Sequence, residues 1–337
     1  ALQADGTVLM ENGILRTAIN KDGTLASLHL ISANREVVSD GCCGNQFVIF
    51  DDVPLYWDAW DVMDYHLQTR KPVVEVIQPV HVVSSGGVRG SVGFTLRISD
   101  KSTIVQEIVM DAMCPYLKFN TKVQWAESHK FLKVEFPVRV RSPNATYEIQ
   151  FGHLQRPTHW NTSWDWARFE VWGHKWADLS EHNFGVSLLN DSKYGYSIHK
   201  NTMTLSLLRA PKAPDAAADM GAHQFTYAIM PHTGSFQDAS VIQAAYNLNF
   251  PLRPMQKPFD SSIFTNRLRM QRGPLWCVSM SLMVAPGSEC FGKVPVTVSL
   301  FCDLLERRDP TRPAHVTPDG ITLSFRPFQI VTLLLVL

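Results

Sequence analysis

The amino-acid sequence predicts an all-β protein, a large antiparallel β-sandwich followed by a smaller β-sandwich unit. Three observations carry that expectation. Apolar and polar residues alternate with period two along most of the chain, the pattern of strands with one face on a core. The alternating runs are short and punctuated by turn residues, as at Lys21-Asp22-Gly23 and Ser85-Gly86-Gly87. Helical spacing is confined to one segment, and no internal repeat is present.

In chain order, "SVGFTLRIS" places Val92, Phe94, Leu96 and Ile98 on one face. Leu117, Phe119, Val123 and Trp125 alternate with Lys118, Asn120, Lys122 and Gln124, and Leu132, Val134, Phe136, Val138 and Val140 repeat the pattern. After a "SPNA" turn come Tyr147, Ile149 and Phe151. The exception is "DASVIQAAYNLN", where Val241, Ile242, Ala245 and Leu248 fall at helical spacing behind Asp238, the expected N-cap. Pro251, Pro254 and Pro258 then mark a linker. Beyond it Val294, Val296, Val298 and Leu300 alternate, as do Ile321, Leu323 and Phe325, and "IVTLLLVL" (330–337) reads as a buried strand too short to cross a bilayer. The expected domains are therefore 1–250, a linker over 251–263, and a small β domain over 264–337.

Composition narrows the function. Formal net charge is zero, which argues against a nucleic-acid partner or an anionic membrane surface. Charged residues make up only 18% of the chain, against about 25% in ordinary soluble domains, which fits a surface partly laid against something else. The first residues, from Ala1, do not read as a basic and apolar leader, so no secretory signal is expected in this sequence. Cys42, Cys43, Cys114, Cys277, Cys290 and Cys302 are scattered without a CxxC pair, as expected of reduced thiols in the cytoplasm. Three N-x-S/T sequons, at Asn144, Asn161 and Asn190, point the other way. The twelve histidines form no HxH, HxD or HExxH, so no metal site is expected. No GxGxxG, Walker loop or GxSxG elbow anchors nucleotide or serine-hydrolase chemistry.

Two aromatic clusters remain. "PLYWDAWDVMDYH" (54–66) mixes Trp57 and Trp60 with Asp58, Asp61 and Asp64, just after Asp51 and Asp52. Trp160, Trp164, Trp166, Trp172 and Trp176 follow within seventeen residues, interleaved with His159, Asn161, Asp165, Arg168, Glu170 and His174. Aromatic faces beside carboxylates and amides suit sugars: the ring stacks on a pyranose C–H face while polar groups bond its hydroxyls. The same residues serve equally as inter-sheet filler with polar turn caps.

"FDDVPLYWDAWDVMDYH", "NTSWDWARFEVWGHKWADLSEHNFGVSLLNDSKYGYS", "LSLLRAPKAPDAAADMGAHQFTYAIMPH" and the closing "LSFRPFQIVTLLLVL" resemble the C-terminal region of family 38 glycoside hydrolases, most of all the cytosolic α-mannosidase branch of animals. The resemblance spans nearly the whole chain and departs at 262–292, where the family's Arg-Leu-Tyr-Glu strand is not matched. It implies a galactose-mutarotase-like supersandwich and membership of a retaining α-mannosidase acting on mannose-containing oligosaccharides. The family's zinc (or cobalt) ligands and catalytic carboxylates belong to an N-terminal α/β barrel and the segment after it, whose motifs are not in this sequence. The chain is thus expected to carry no catalytic residue and to bind no cofactor itself. Its expected partner is that barrel, over which it would pack and lend residues to the rim of the mannose pocket. Asp58 and Asp61 are the candidates for bonding mannose hydroxyls, Trp57 or Trp60 for the stacking face, and Arg209 of "LLRAP" for a guanidinium near the pocket. The alternatives are a stand-alone lectin-like sandwich using the same loops, and a structural module that never touches sugar.

Overall fold

The structure is a computed structural model. It describes residues 2–251 and, beyond them, 276–280, 298–302, 307–313, 315–317, 320–322 and 331–336. Two compact units are present, one comprising Ala1–Ile149 and His153–Pro251, the other Gln150–Gly152 and Leu252–Leu337. The strands of both units pair antiparallel, as the alternation predicts.

The large unit is built on a nine-stranded and a six-stranded sheet, with a four-stranded sheet formed near the N-terminus by Val8–Glu11, Leu15–Ile19, Leu25–Leu30 and Arg35–Glu36. The nine-stranded sheet has Leu117–Trp125 near its centre, paired on one side with Thr103–Asp111 and on the other with Gly221–Thr233. In the six-stranded sheet, Lys130–Pro137 lies between Gln46–Asp51 and Thr202–Arg209. Period two decides what is buried: Phe94, Leu96, Phe119 and Val123 from one sheet and Phe47, Leu132, Val134 and Phe136 from the other join a single cluster. A closed polar ring crosses this core. Asn45 donates to Gln106 at 2.7 Å, Gln106 donates to the Tyr227 hydroxyl at 2.8 Å, and that hydroxyl donates back to Asn45 at 2.6 Å. Each partner satisfies the next, so the ring fixes sheet register without a desolvation loss.

The turns behave as the sequence indicates. Gly23 has φ +82°, and a Cβ there would lie 2.1 Å from the Phe94 ring, so both the backbone and the core demand glycine. Ser85-Gly86-Gly87 closes the hairpin between Glu75–Ser85 and Arg89–Arg97. The helix spans Val241–Asn249, and here the expected cap is wrong: Ser240, in the left-handed region, precedes it without a side-chain bond. Asp238 instead accepts from the Ser235 amide and hydroxyl, closing a separate turn. Phe151 has φ +55° and sits in a turn beyond the strand Asn144–Ile149.

In the smaller unit Val331–Val336 pairs with both Trp276–Met280 and Val298–Cys302, so the apolar C-terminal run is an interior strand of a four-stranded sheet. Arg308–Pro313 flanks it, and His315–Thr317 pairs with Gly320–Thr322. Apart from Pro251, the expected linker 251–263 lies outside the described residues, as do most of 262–292 and the run at Leu323 and Phe325.

Candidate functional site

The segment 52–70 is an elaborate connection between two neighbouring strands. Gln46–Asp51 leaves the six-stranded sheet, and Lys71–Pro72 returns beside it, with Val48 opposite Pro72. Between them the chain folds back over the outer face of the sheet. A 3-10 helix, Asp64–Thr69, buries His66 among Phe50, Phe131 and Phe169, with ring centroids 5.1, 5.5 and 5.9 Å away. Val48, Phe50 and Phe131 form a small apolar cluster there, joined by Val62 and Leu67.

The aromatic–acidic stretch makes a tight turn. Trp57 adopts φ +55°, and its carbonyl accepts from the amides of Trp60 and Asp61 at 2.7 and 2.9 Å. The two indoles stack at 5.6 Å with planes 17° apart, and they remain 65% and 76% exposed. A large apolar pair held parallel in solvent is not core filler, and it lies beside exposed Leu55 and Tyr56.

Arg209 and Asp58 hold this turn by reaching in opposite directions. From the end of Thr202–Arg209, the Arg209 guanidinium donates to the carbonyls of Asp58 (3.1 Å), Ala59 (3.3 Å) and Asp61 (2.7 Å). Its Nε donates to Asp52 at 2.7 Å, a carboxylate only 2% exposed. Asp58 in turn accepts from the amides of Lys212 (2.5 Å) and Ala213 (2.9 Å), and His129 Nε2 lies 3.4 Å away. Burial by itself would raise the Asp58 pKa, but those two amides and His129 outweigh it and hold the carboxyl below its usual range. Four of Arg209's five donors are thus committed within the protein. The sequence-derived candidates come together, but they play two different parts. Trp57, Trp60 and exposed Asp61 face solvent, while Asp58 and Arg209 bind one loop to another.

The second aromatic cluster splits as well. Thr162 and Asp165 form a capping box on the short helix Ser163–Trp166, whose Trp166 donates to Asp64 at 2.6 Å and so joins the two clusters. Trp164 and Trp172 are exposed, whereas Trp176 is fully buried against Phe236. Behind them Lys133, 1% exposed, donates to Glu170 at 2.5 Å, and Glu170 also accepts from the Ser206 hydroxyl. His129, Lys133 and Ser206 carry no local signal in the sequence, and Asp52 carries only its place beside the aromatic stretch. Among the described residues, no three His, Cys, Asp or Glu side chains are grouped to hold a metal ion.

The family model described as "Glycosyl hydrolases family 38 C-terminal domain" matches residues 10–217, well over half of the chain and all of the tryptophan turn with its clamp. The chain belongs to this family. Alpha-mannosidase 2C1 of Homo sapiens is 54% identical over 99% of the chain, which covers 34% of the human protein. Alpha-mannosidase G of Dictyostelium discoideum is 46% identical over 78% of the chain and 24% of its own length. The chain therefore spans about a third or less of these relatives, as a family 38 C-terminal part should. A solved α-mannosidase from Enterococcus faecalis V583 superposes with a TM-score of 0.69 at 13% identity, covering 99% of this chain and 42% of that one, which shows the shared fold. No helix among the described residues is long and apolar enough to cross a membrane.

Proposed function

We propose that the chain is the non-barrel part of a cytoplasmic α-mannosidase that removes terminal α-mannose from oligosaccharides with retention. In this reading it packs on the N-terminal α/β barrel of the same enzyme and supplies part of the rim of the mannose pocket. Zinc or cobalt, the nucleophile and the acid/base then lie in that barrel, outside this chain. The observation that supports a rim role is the exposed Trp57–Trp60 stack, held by a two-way clamp. A clamped turn delivers a preorganised aromatic face, which limits the conformational entropy lost on binding. Trp60 offers the stacking surface and Asp61 the free acceptor for vicinal hydroxyls; Asp58 and Arg209 position them rather than touch sugar.

The test is made in the full-length enzyme. Trp60→Ala and Asp61→Asn should each lower kcat/KM for an aryl α-mannoside by about tenfold, with the melting temperature unmoved. Unchanged kinetics in both variants would sink the rim role. The isolated chain should neither hydrolyse the aryl mannoside nor take up stoichiometric zinc. Zinc-dependent turnover by the isolated chain would overturn the division of labour, and tight glycan binding by it would favour the lectin-like alternative.

A further inference from the structure

A cleft of about 380 Å³ opens on the outer face of the six-stranded sheet, bordered by Arg209 and by Val62, the residue after Asp61. That volume lies in the range of small-ligand sites. Its floor is set by the sheet: Gly195 and Ser206 are cross-strand partners, and a Cβ on Gly195 would stand 2.8 Å from Ser206 Cβ and 3.2 Å from Glu170 Oε1. Glycine therefore keeps the floor low and leaves the Glu170 carboxylate open from above. Lys133 and Ser206 occupy two of that carboxylate's roughly four lone-pair directions, leaving acceptor capacity.

The walls carry a mixture that few ligand classes match. Tyr194, 57% exposed, stands at the rim; its ring meets His174 edge-on at 5.1 Å, and His174 meets Trp172 at 5.5 Å, so an aromatic row leads out of the cleft. Lys193, its ammonium 4.5 Å above the Phe225 ring, brings a donor, and Asp219 brings an acceptor. A phosphate or nucleotide needs concentrated positive charge, and Glu170 and Asp219 oppose it. An apolar ligand would offer the Lys193 ammonium and the Asp219 carboxylate no partner. A neutral ring with several hydroxyls satisfies donors and acceptors together and offers a C–H face to Tyr194.

We propose that this cleft is a second sugar subsite, taking the hexose adjacent to the one that meets the tryptophan turn. It rests on the α-mannosidase reading, because it assigns the cleft to the same oligosaccharide. The border shared through Val62 and Arg209 makes the two sites neighbours on one chain of sugars.

The decisive variant is Tyr194→Ala in the full-length enzyme, at an exposed position where folding is not at stake. The ratio of kcat/KM for a mannose oligosaccharide to that for an aryl α-mannoside should fall about fivefold, through KM. An unchanged ratio, or equal losses on both substrates, overturns the subsite. If the parent enzyme hydrolyses neither substrate, the α-mannosidase reading has failed, and the subsite is judged by titrating α-mannobiose into the same two proteins. Weaker binding by Tyr194→Ala upholds the subsite even then, and equal or absent binding refutes it.

Discussion

The outer faces of the two large sheets are covered in opposite ways. On the nine-stranded sheet the helix Val241–Asn249 and Phe236 lie over Trp176, Leu189, Ala228 and Met230, all buried. On the six-stranded sheet irregular loops do the covering over a small apolar cluster of Val48, Phe50 and Phe131, and ionic and hydrogen-bonded pairs add to its hold: Lys133 with Glu170, Arg209 with Asp52 and three carbonyls, Asp58 with two amides. Apolar cover needs only area, so it hides its aromatics. Directional cover fixes a backbone without consuming its side chains, and so leaves Trp57 and Trp60 exposed.

The sharpest way to break this contrast is to remove one anchor from each face. Trp176→Ala should cost about 3–5 kcal/mol in denaturant unfolding of the full-length enzyme. Lys133→Ala should cost a similar amount, about 3–5 kcal/mol, because it leaves the Glu170 charge unpaired. The double change of Lys133→Met with Glu170→Gln should recover most of that loss. If the double variant is as unstable as Lys133→Ala, the pair does not hold the loop face through its charges.

His66 sharpens the contrast by pH. Burial, then the charge of Lys133 and that of Arg209, lowers its pKa from 6.5 to about 4. The folded loop face therefore keeps His66 neutral, while the unfolded chain takes up its proton near pH 6.5. Stability from this residue is fully present above pH 6.5 and is lost as pH falls from there to about 4, by up to about 3 kcal/mol. His66→Phe should flatten the unfolding free energy over that window; an unaltered slope would place the acid sensitivity elsewhere.

Smaller effects divide the clamp from what it presents. Asp58→Ala should destabilise by about 1–2 kcal/mol, seen as a few degrees in melting temperature, through loss of the Lys212 and Ala213 bonds. Trp60→Ala, at a position 76% exposed, should cost less than about 0.5 kcal/mol. If the order reverses, the indole is a structural member and the comparison between the two faces fails.

Much of the architecture was legible because period two is a local signal. Leu132, Val134 and Phe136 face the shared core as their alternation requires. The same alternation misleads at Lys133, which should face water on the other side of its strand but is buried by residues 37 positions away. The helix was legible from its apolar spacing, yet not its start, since Asp238 prefers a turn to a cap. At the site, residue types were readable and the parts they play were not. Nothing in "WDAWD" tells which aspartate meets Lys212, because the partner is 154 residues on. Nor does spacing separate Trp176 from Trp172, whose fates depend on which face of which sheet each one meets.

One buried side chain bears on how the chain must be made. Asn190, 1% exposed, begins the sequon Asn190-Asp191-Ser192. Its Nδ2 donates to the His174 carbonyl at 2.9 Å and to the Tyr196 hydroxyl at 2.5 Å, while its Oδ1 accepts from the Ser192 and Lys193 amides at 3.0 and 2.6 Å. A glycan would be joined at that same Nδ2, replacing one of its two hydrogens with a bulky sugar where the fold leaves no opening. Modification and folding therefore compete for one nitrogen. Routed through a glycosylating compartment, the chain should emerge either folded with Asn190 bare or glycosylated there and misfolded, a split that peptide mapping of the soluble and aggregated fractions would display.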